Sequence, residues 1–222
     1  MSIARLIVGA QGNAKSWNLA YAEYSGVSFD VSAQNAFPSG LFFKSDGSKI
    51  YVVGRNFRAA DVNEYDLSTA WDVSSASFLQ NFSVAAQVGG STGLFFKPDG
   101  TKMYVVGIST DDVNEYDLST AWDVSSASYL QNFSVSAQEA SPTGLFFKSD
   151  GTKMYVVGSA GDDVNEYDLS TAWDVSSASY LQNFSVAAQE TAPNDVFFKS
   201  DGTKMYVTGS DTDSIYEYTF TA

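Results

Sequence analysis

The chain has 222 residues, 44% of them hydrophobic and 15% aromatic, a composition that suits a single all-β domain with an ample core. Its formal net charge of -14 makes nucleic acid and membrane surfaces poor partners, because binding to either normally depends on Lys and Arg. The absence of Cys and His excludes disulfides, zinc–thiolate sites and Ser-His-Asp catalysis.

Residues 1–15 fall outside the repeat pattern that fills the rest of the chain, and we expect them to form an arm or an additional strand. Their short apolar run cannot form the core of a signal peptide or a membrane span. The expected place of synthesis is therefore the cytoplasm, without a signal peptide.

Residues 16–222 are predicted to form one domain built from internal repeats. Trp71, Trp122 and Trp173 are 51 residues apart, and the repeats start near residues 41, 94, 145 and 196. Repeats of about 40 to 50 residues made of short strands are typical of β-propellers, in which each repeat forms one blade.

Each repeat is interpreted as four strands. In the third repeat, the predicted strands are Leu145–Lys148, Lys153–Val157, Val164–Leu169 and Tyr180–Val186. Asp150 and Gly151 between the first two strands predict a tight hairpin, because Asp accepts backbone hydrogen bonds and Gly adopts positive φ. Trp173 lies between the last two strands and is expected to pack under the blade.

The fourth repeat ends after its third strand, which is predicted at Ile215–Phe220. The missing piece lies at the other end of the chain, because residues 16–34 read like residues 70–87 and include Trp17. The fold prediction is therefore all-β: a four-bladed β-propeller with four antiparallel strands per blade. Its last blade is completed by an N-terminal closing strand at about residues 24–34, which would protect exposed sheet edges.

The Asp-Gly hairpin followed by a Tyr-Val strand resembles the SPDG…YV repeats of large bacterial propeller families. The segments LFFKPDGTKMYVVG and NEYDLSTAWDVSSAS are similar to repeats of bacteriophage proteins, especially those of marine phages, and of some bacterial surface proteins. This resemblance implies a binding or scaffolding role without a catalytic motif or cofactor. The leading hypothesis is thus a non-enzymatic module of a phage virion, on the tail, fibre or capsid surface. Its expected partners are other virion proteins, a host glycan or further copies of itself in the particle.

The loops on the two faces of the propeller differ in their variability. The connections on the lower face are almost identical between repeats, whereas those on the upper face diverge. The first upper loop is two residues longer than the others and contains Arg55, Phe57 and Arg58, and Phe37 lies in the neighbouring loop of the same repeat. Because Arg and aromatic side chains are common interface anchors, we predict a binding site at these four residues. The alternative is a solvated loop with its charges paired and with Phe37 packed beneath it.

The remaining charged residues recur in register, which is typical of scaffold. The upper loops supply carboxylates that could bind calcium, but they lack EF-hand spacing, so no metal site is assigned. The competing class of function is a carboxylate-dependent hydrolase acting on glycans. No catalytic residue is predicted, because glycosidases need two carboxylates in different environments and repeated carboxylates have like environments. These carboxylates are Asp111, Asp112, Asp162, Asp163, Asp211 and Asp213 in the upper loops and Glu64, Glu115, Glu166 and Glu217 on the third strands.

Overall fold

The computed structural model describes residues 24–55 and 60–220, which form four antiparallel sheets. Blade 1 contains β1 (Pro38–Phe43), β2 (Lys49–Gly54), β3 (Asp61–Leu67) and β4 (Ala76–Ser83). Blade 2 contains β5 (Ser91–Phe96), β6 (Lys102–Gly107), β7 (Asp112–Leu118) and β8 (Ala127–Ser134). Blade 3 contains β9 (Pro142–Phe147), β10 (Lys153–Gly158), β11 (Asp163–Leu169) and β12 (Ala178–Ser185). Blade 4 contains β13 (Pro193–Phe198), β14 (Lys204–Gly209) and β15 (Ile215–Thr219).

The predicted fold class is confirmed: the chain is an all-β, four-bladed β-propeller with four antiparallel strands per blade, and the one blade that has three strands takes its fourth from an N-terminal segment. The first strand of each blade lies innermost, and β1, β5 and β9 each pack against the first strand of the following blade. These inner strands begin at residues 38, 91, 142 and 193, each three residues before the predicted repeat starts near 41, 94, 145 and 196. Three short 3-10 turns at Val73–Ser75, Val124–Ser126 and Val175–Ser177 precede the outer strands β4, β8 and β12. Within the described residues, no helix has the length and apolarity that a membrane span requires.

Successive blades are joined by buried aromatic contacts that repeat along the chain. The ring centroid of Tyr51 on blade 1 lies 4.3 Å from that of Phe96 on blade 2. The equivalent contact between Tyr104 and Phe147 joins blades 2 and 3 at the same distance. Aromatic pairs contribute about 0.5–1.5 kcal/mol beyond the burial of their area, so these contacts are a main source of blade-to-blade stability.

The expected packing of Trp173 under its blade is confirmed. Its ring stacks on Phe147 at 5.6 Å and is 8% exposed, and its carbonyl oxygen accepts a 2.7 Å hydrogen bond from the Tyr104 hydroxyl of blade 2. The backbone of Trp173 has a φ of 66°, a left-handed conformation that bulky residues rarely adopt. Its amide N–H donates to the Gly151 carbonyl oxygen at 3.0 Å, which fixes the indole against the hairpin.

Gly151→Ala is expected to destabilise the protein for two reasons. Gly151 has a φ of 74°, which costs an L-residue about 1–2 kcal/mol, and an added Cβ would overlap the Trp173 indole. Such overpacking costs roughly a further 1–3 kcal/mol. Gly202→Ala is the matched control, because Gly202 has a φ of 72° but no atom within 4 Å of an added Cβ. Urea denaturation of both variants measures the difference, and equal losses would contradict the packing of tryptophan against this hairpin.

The N-terminal segment occupies the position that an outer strand occupies in the other repeats. The Phe29 ring contacts Tyr65 of blade 1 at 5.5 Å, edge to face, as Phe82 of β4 contacts Tyr116 of blade 2 at 5.7 Å. Residues 31–35 then repeat a turn found after every outer strand, in which the Asn35 amide N–H donates to the Val31 carbonyl oxygen at 2.8 Å. The N-terminus thus contains the outer-strand piece that blade 4 lacks. Residues 1–23, including the predicted arm and Trp17, lie outside the described residues.

Candidate functional site

A cavity of about 1090 Å³ lies where the inner strands of the four blades converge. Its wall is mainly apolar and includes Leu41, Leu94, Leu145 and Val196 from the four inner strands. Large concave cavities with apolar walls and few polar groups are the usual ligand sites of proteins. This cavity is therefore the primary candidate site.

Asp195 is an exception to the repeat symmetry in this cavity. β1, β5 and β9 have Gly40, Gly93 and Gly144 at the register position where β13 has Asp195. The inner strands approach so closely there that an added Cβ on Gly144 would come within 2.7 Å of the Asp195 Cα. A carboxylate at this position is unique among the four blades, which distinguishes it from the repeated scaffold charges.

The environment of Asp195 suits acid–base chemistry. Asp195 is exposed to the cavity, yet desolvation by the surrounding protein raises its pKa to about 6, and the 2.9 Å hydrogen bond from the Val196 amide N–H to its Oδ1 opposes the shift. Near neutral pH the group is mostly ionised but remains a useful proton acceptor, because its pKa is close to the pH. Asn194, Thr208 and Ser39 line the same cavity and add hydrogen-bonding groups. Among the described residues that line the cavity, Asp195 is the single ionisable group.

Asp195→Gly, which restores the glycine of the other blades, is expected to change how stability depends on pH. Because the folded pKa of Asp195 lies above the unfolded value of 3.8, the folded state alone retains the proton between about pH 4 and pH 6, and stability falls as pH rises through this window. The side chain is open to the cavity, so solvent screening limits the effect to about 1 kcal/mol. Urea denaturation at pH 4 and pH 7 should show the variant gaining stability relative to the wild type at the higher pH. An unchanged difference between wild type and variant at the two pH values would contradict the raised pKa.

The predicted binding residues on the upper face are brought together in part. Phe37 is 68% exposed, and its carbonyl oxygen accepts a 3.0 Å hydrogen bond from the Arg55 amide N–H, so the two residues adjoin on one exposed surface. Phe57 and Arg58 lie outside the described residues. The four-residue site therefore stays a prediction.

Two buried glutamates, which sequence reasoning missed, hold the upper loops in place. The Glu139 carboxylate accepts hydrogen bonds from the amide N–H groups of Ser141, Ala160 and Gly161, which lie in two different loops. Glu190 makes the same kind of contacts in blade 4. Its pKa is lowered by its hydrogen bonds, of which the one from the Thr212 hydroxyl has the largest effect. No repeat pattern could have indicated this role, because the equivalent residues of the first two repeats are Asn35 and Val88.

The charges that recur in every repeat are scaffold, as expected. Each lysine at the end of an inner strand pairs with the aspartate of the following hairpin, as in the 2.7 Å contact of Lys148 with Asp150. The pairs are Lys44–Asp46, Lys97–Asp99, Lys148–Asp150 and Lys199–Asp201. Glu64 and Glu115 are buried, and they accept 3.0 Å hydrogen bonds from the amide N–H groups of Val124 and Val175 in the next repeat. No cluster of three or more metal-ligating side chains occurs among the residues that the structure describes.

No protein-family model and no curated protein matches the chain. Solved structures do match. The β-propeller domain of Cps50 (Swd1) from Myceliophteria thermophila is 12% identical, with 83% of this chain and 54% of that chain covered and a TM-score of 0.54. The periplasmic gluconolactonase PpgL of Pseudomonas aeruginosa is 15% identical, with 83% and 50% covered and a TM-score of 0.54. A putative 6-phosphogluconolactonase from Bacteroides uniformis is 14% identical, with 83% and 68% covered and a TM-score of 0.55.

The chain spans about half the length of the first two of these structures, and at such identities the likeness shows the β-propeller fold alone. The fold and the cavity define a β-propeller protein with one carboxylate near its centre. The expectation of a non-enzymatic protein is wrong as it was argued and is corrected: proteins named as a gluconolactonase and a putative 6-phosphogluconolactonase share this fold, so the repeat fold does not argue against an enzyme. The repeat contains no catalytic motif, but this does not exclude catalysis, because a residue that differs in a single blade can provide the reactive group. The resemblance to phage proteins is not shown by these comparisons and stays a prediction.

Proposed function

We propose that the protein is a carboxylate-dependent hydrolase that binds a neutral, sugar-derived ester such as a lactone in the central cavity. The observation that carries this proposal is the replacement of the repeated glycine by Asp195 in an apolar cavity. The lactonases among the structurally similar proteins support the reaction class as an analogy of fold.

In this reaction, Asp195 acts as the general base. Its carboxylate takes a proton from a water molecule while the water oxygen attacks the carbonyl carbon of the ester. The ester C–O bond then breaks, and the proton is passed to the departing alkoxide oxygen. Hydrolysis of this kind needs one carboxylate, whereas glycoside cleavage normally needs two, so a lactone fits this cavity better than a glycan.

The walls of the cavity also restrict the substrate. No Lys or Arg is among the described residues that line it, and the net charge of the chain is -14. A phosphorylated substrate would meet no compensating charge there, whereas the C–H faces of a neutral sugar ring can pack on Phe42, Phe95 and Phe146.

A substrate panel tests this proposal. The purified chain is mixed with a neutral sugar lactone, the corresponding phosphorylated lactone and chromogenic glycosides, and acid release is followed by pH-stat against the spontaneous rate. We expect turnover of the neutral lactone, less of the phosphorylated one and none of the glycosides. Background rates with every lactone, or a preference for the phosphorylated one, would contradict the proposal.

The second candidate function is docking in a phage virion through the upper face, and the exposed contact between Phe37 and Arg55 favours it. In this proposal the two residues, with Phe57 and Arg58, bind another virion protein or a surface glycan. Such docking is compatible with catalysis in the central cavity. It would place the protein on the particle.

The double variant Phe37→Ala, Arg55→Ala tests the docking function. Interface anchors contribute about 2 kcal/mol or more each, so binding to particle proteins or to an arrayed glycan should weaken at least tenfold. Phe78→Ala is the control, because Phe78 is exposed on the outer strand β4, away from the upper face. Equal binding by the double variant and the wild type would exclude this surface.

A further inference from the structure

Blade 1 exposes apolar residues whose equivalents in the following blades are covered by the preceding blade. Leu41 is 63% exposed, whereas its equivalents Leu94 and Leu145 are 6% and 4% exposed because a preceding blade covers them. Trp71 is 59% exposed, in contrast to the 8% of Trp173. We call this surface of blade 1, which also includes Phe43, the incoming face.

Blade 4 exposes the complementary surface. Phe42, Phe95 and Phe146 each contact a phenylalanine of the following blade at 5.3–5.4 Å, whereas their equivalent Phe197 is 50% exposed. Ile215 on β15 is also exposed, and β15 pairs with β14 alone among the described strands. We call the surface formed by Phe197, Tyr206 and β15 the outgoing face.

Residues 24–34 dock on blade 1, and among the described residues no ladder joins them to β15 of the same chain. After each complete outer strand, a valine amide N–H donates to a carbonyl oxygen of its own blade, as Val135 donates to Asp111 at 2.8 Å and Val186 to Asp162 at 2.9 Å. The register places Val31 opposite Asp213, which has the same positive φ as Asp111 and Asp162. Among the described residues, no hydrogen bond joins Val31 to Asp213. Within the described part of the chain, the edge of β15 is thus available for pairing.

We propose that a second copy of this chain covers both faces, so that two copies close one ring. The outgoing face of each copy packs on the incoming face of the other, and residues 24–34 of one copy complete blade 4 of the other. This interface continues one that already occurs three times within the chain, between successive blades. The arrangement has two-fold symmetry, the commonest symmetry of protein oligomers.

Two further observations fit a second copy. First, the register gives Glu217 in blade 4 the position that Glu64 and Glu115 have in blades 1 and 2. Those two glutamates accept hydrogen bonds from the Val124 and Val175 amide N–H groups of the next repeat. The equivalent donor for Glu217 is the Val73 amide N–H on the incoming face. In addition, the four blades align together with 54% of the Swd1 β-propeller domain, so each copy corresponds to about half of such a ring. Leu41, Phe43 and Phe197 also line the cavity, so the second copy would adjoin the candidate site. The tests of this proposal measure mass and cross-linking and require no hydrolysis.

The mass of the particle in solution provides the first test, by light scattering after size exclusion. We expect twice the 23.9 kDa of one chain, and a mass near 23.9 kDa for Leu41→Asp, which places a charge in the incoming face. Leu130→Asp is the control, because Leu130 is 46% exposed on β8 and outside both faces. Both leucines are exposed within one chain, so neither change should unfold it. A wild type of 23.9 kDa at all concentrations, or a Leu41→Asp variant of unchanged mass, would overturn the proposal.

A cross-link distinguishes closure between two chains from closure within one. The register places Ser28 opposite Tyr216, as Asn183 lies opposite Asn165 in blade 3. The chain has no Cys, so the double variant Ser28→Cys, Tyr216→Cys can be oxidised with copper–phenanthroline and analysed under denaturing, non-reducing conditions. We expect covalent dimers that revert to monomers on reduction. A cross-linked monomer, or no cross-link, would overturn the proposal.

Discussion

Asp195→Asn is expected to lower kcat/KM for the neutral lactone by about 10²–10⁴-fold, because it removes the one ionisable group among the described residues that line the cavity and leaves the shape of the cavity nearly unchanged. The wild-type kcat/KM should rise with pH and level off above about pH 6, since the free enzyme is active when Asp195 is ionised. The variant should lose both the rate and this pH dependence. Initial rates from pH 4.5 to 7, corrected for spontaneous hydrolysis, provide the measurement.

Asp201→Asn is the matched control for this experiment. Asp201 lies in the hairpin that follows β13 and binds Lys199 and Thr203, so the substitution makes the same change of charge outside the cavity. We expect near wild-type kinetics for this variant. Equal losses in the two variants, or full activity of Asp195→Asn, would remove Asp195 from the reaction.

Glu115→Ala is expected to destabilise the protein by about 3–5 kcal/mol. Glu115 is fully buried, and its carboxylate pairs with Lys102 and accepts 3.0 Å hydrogen bonds from the Val175 amide N–H and the Gln131 side chain. Its removal leaves the partly buried Lys102 with Asp117 as its remaining partner. It also leaves the buried Val175 N–H unsatisfied and opens a cavity between the blades, which together have a cost of this size. Because these contacts join blades 2 and 3, the variant should unfold at much lower urea concentration.

Asp117→Ala is the control for Glu115. Asp117 pairs with the same Lys102 at 2.8 Å, but its side chain is 48% exposed, and exposed ion pairs contribute less than about 1 kcal/mol. Free energies of unfolding from urea titrations of both variants test the comparison. Similar losses would show that the ion pair to Lys102, and not the buried contact between blades, determines the effect.

The architecture was predictable because local and global signals agree in this chain. The Asp-Gly hairpins fix the first two strands of each repeat, and the alternation of residues fixes the third, so strand bounds differ from prediction by a few residues only. The role of Trp173 followed from its size and its recurrence. The early start of β9 at Pro142 could not be read from β-propensity, because Pro and Gly are both depleted in strands.

The candidate functional residues were harder to predict, because divergent loops are a stronger signal in a repeat sequence than a single substitution within a strand. The signal for Asp195 was nevertheless present, since the fourth repeat reads PNDVFF where the third reads PTGLFF. Its meaning depends on the position of β13 at the centre of the molecule, which only the packed structure provides. Which copy of blade 4 receives the N-terminal segment is likewise not specified by sequence, because identical strands pair equally well within and between chains.

A crystal structure with an unreactive analogue of a neutral sugar lactone tests the central claim most directly. We expect the analogue to lie in the cavity between the inner strands, with its carbonyl group next to the Asp195 carboxylate. An analogue bound only at the upper loops around Phe37 and Arg55, with the cavity unchanged, would contradict it.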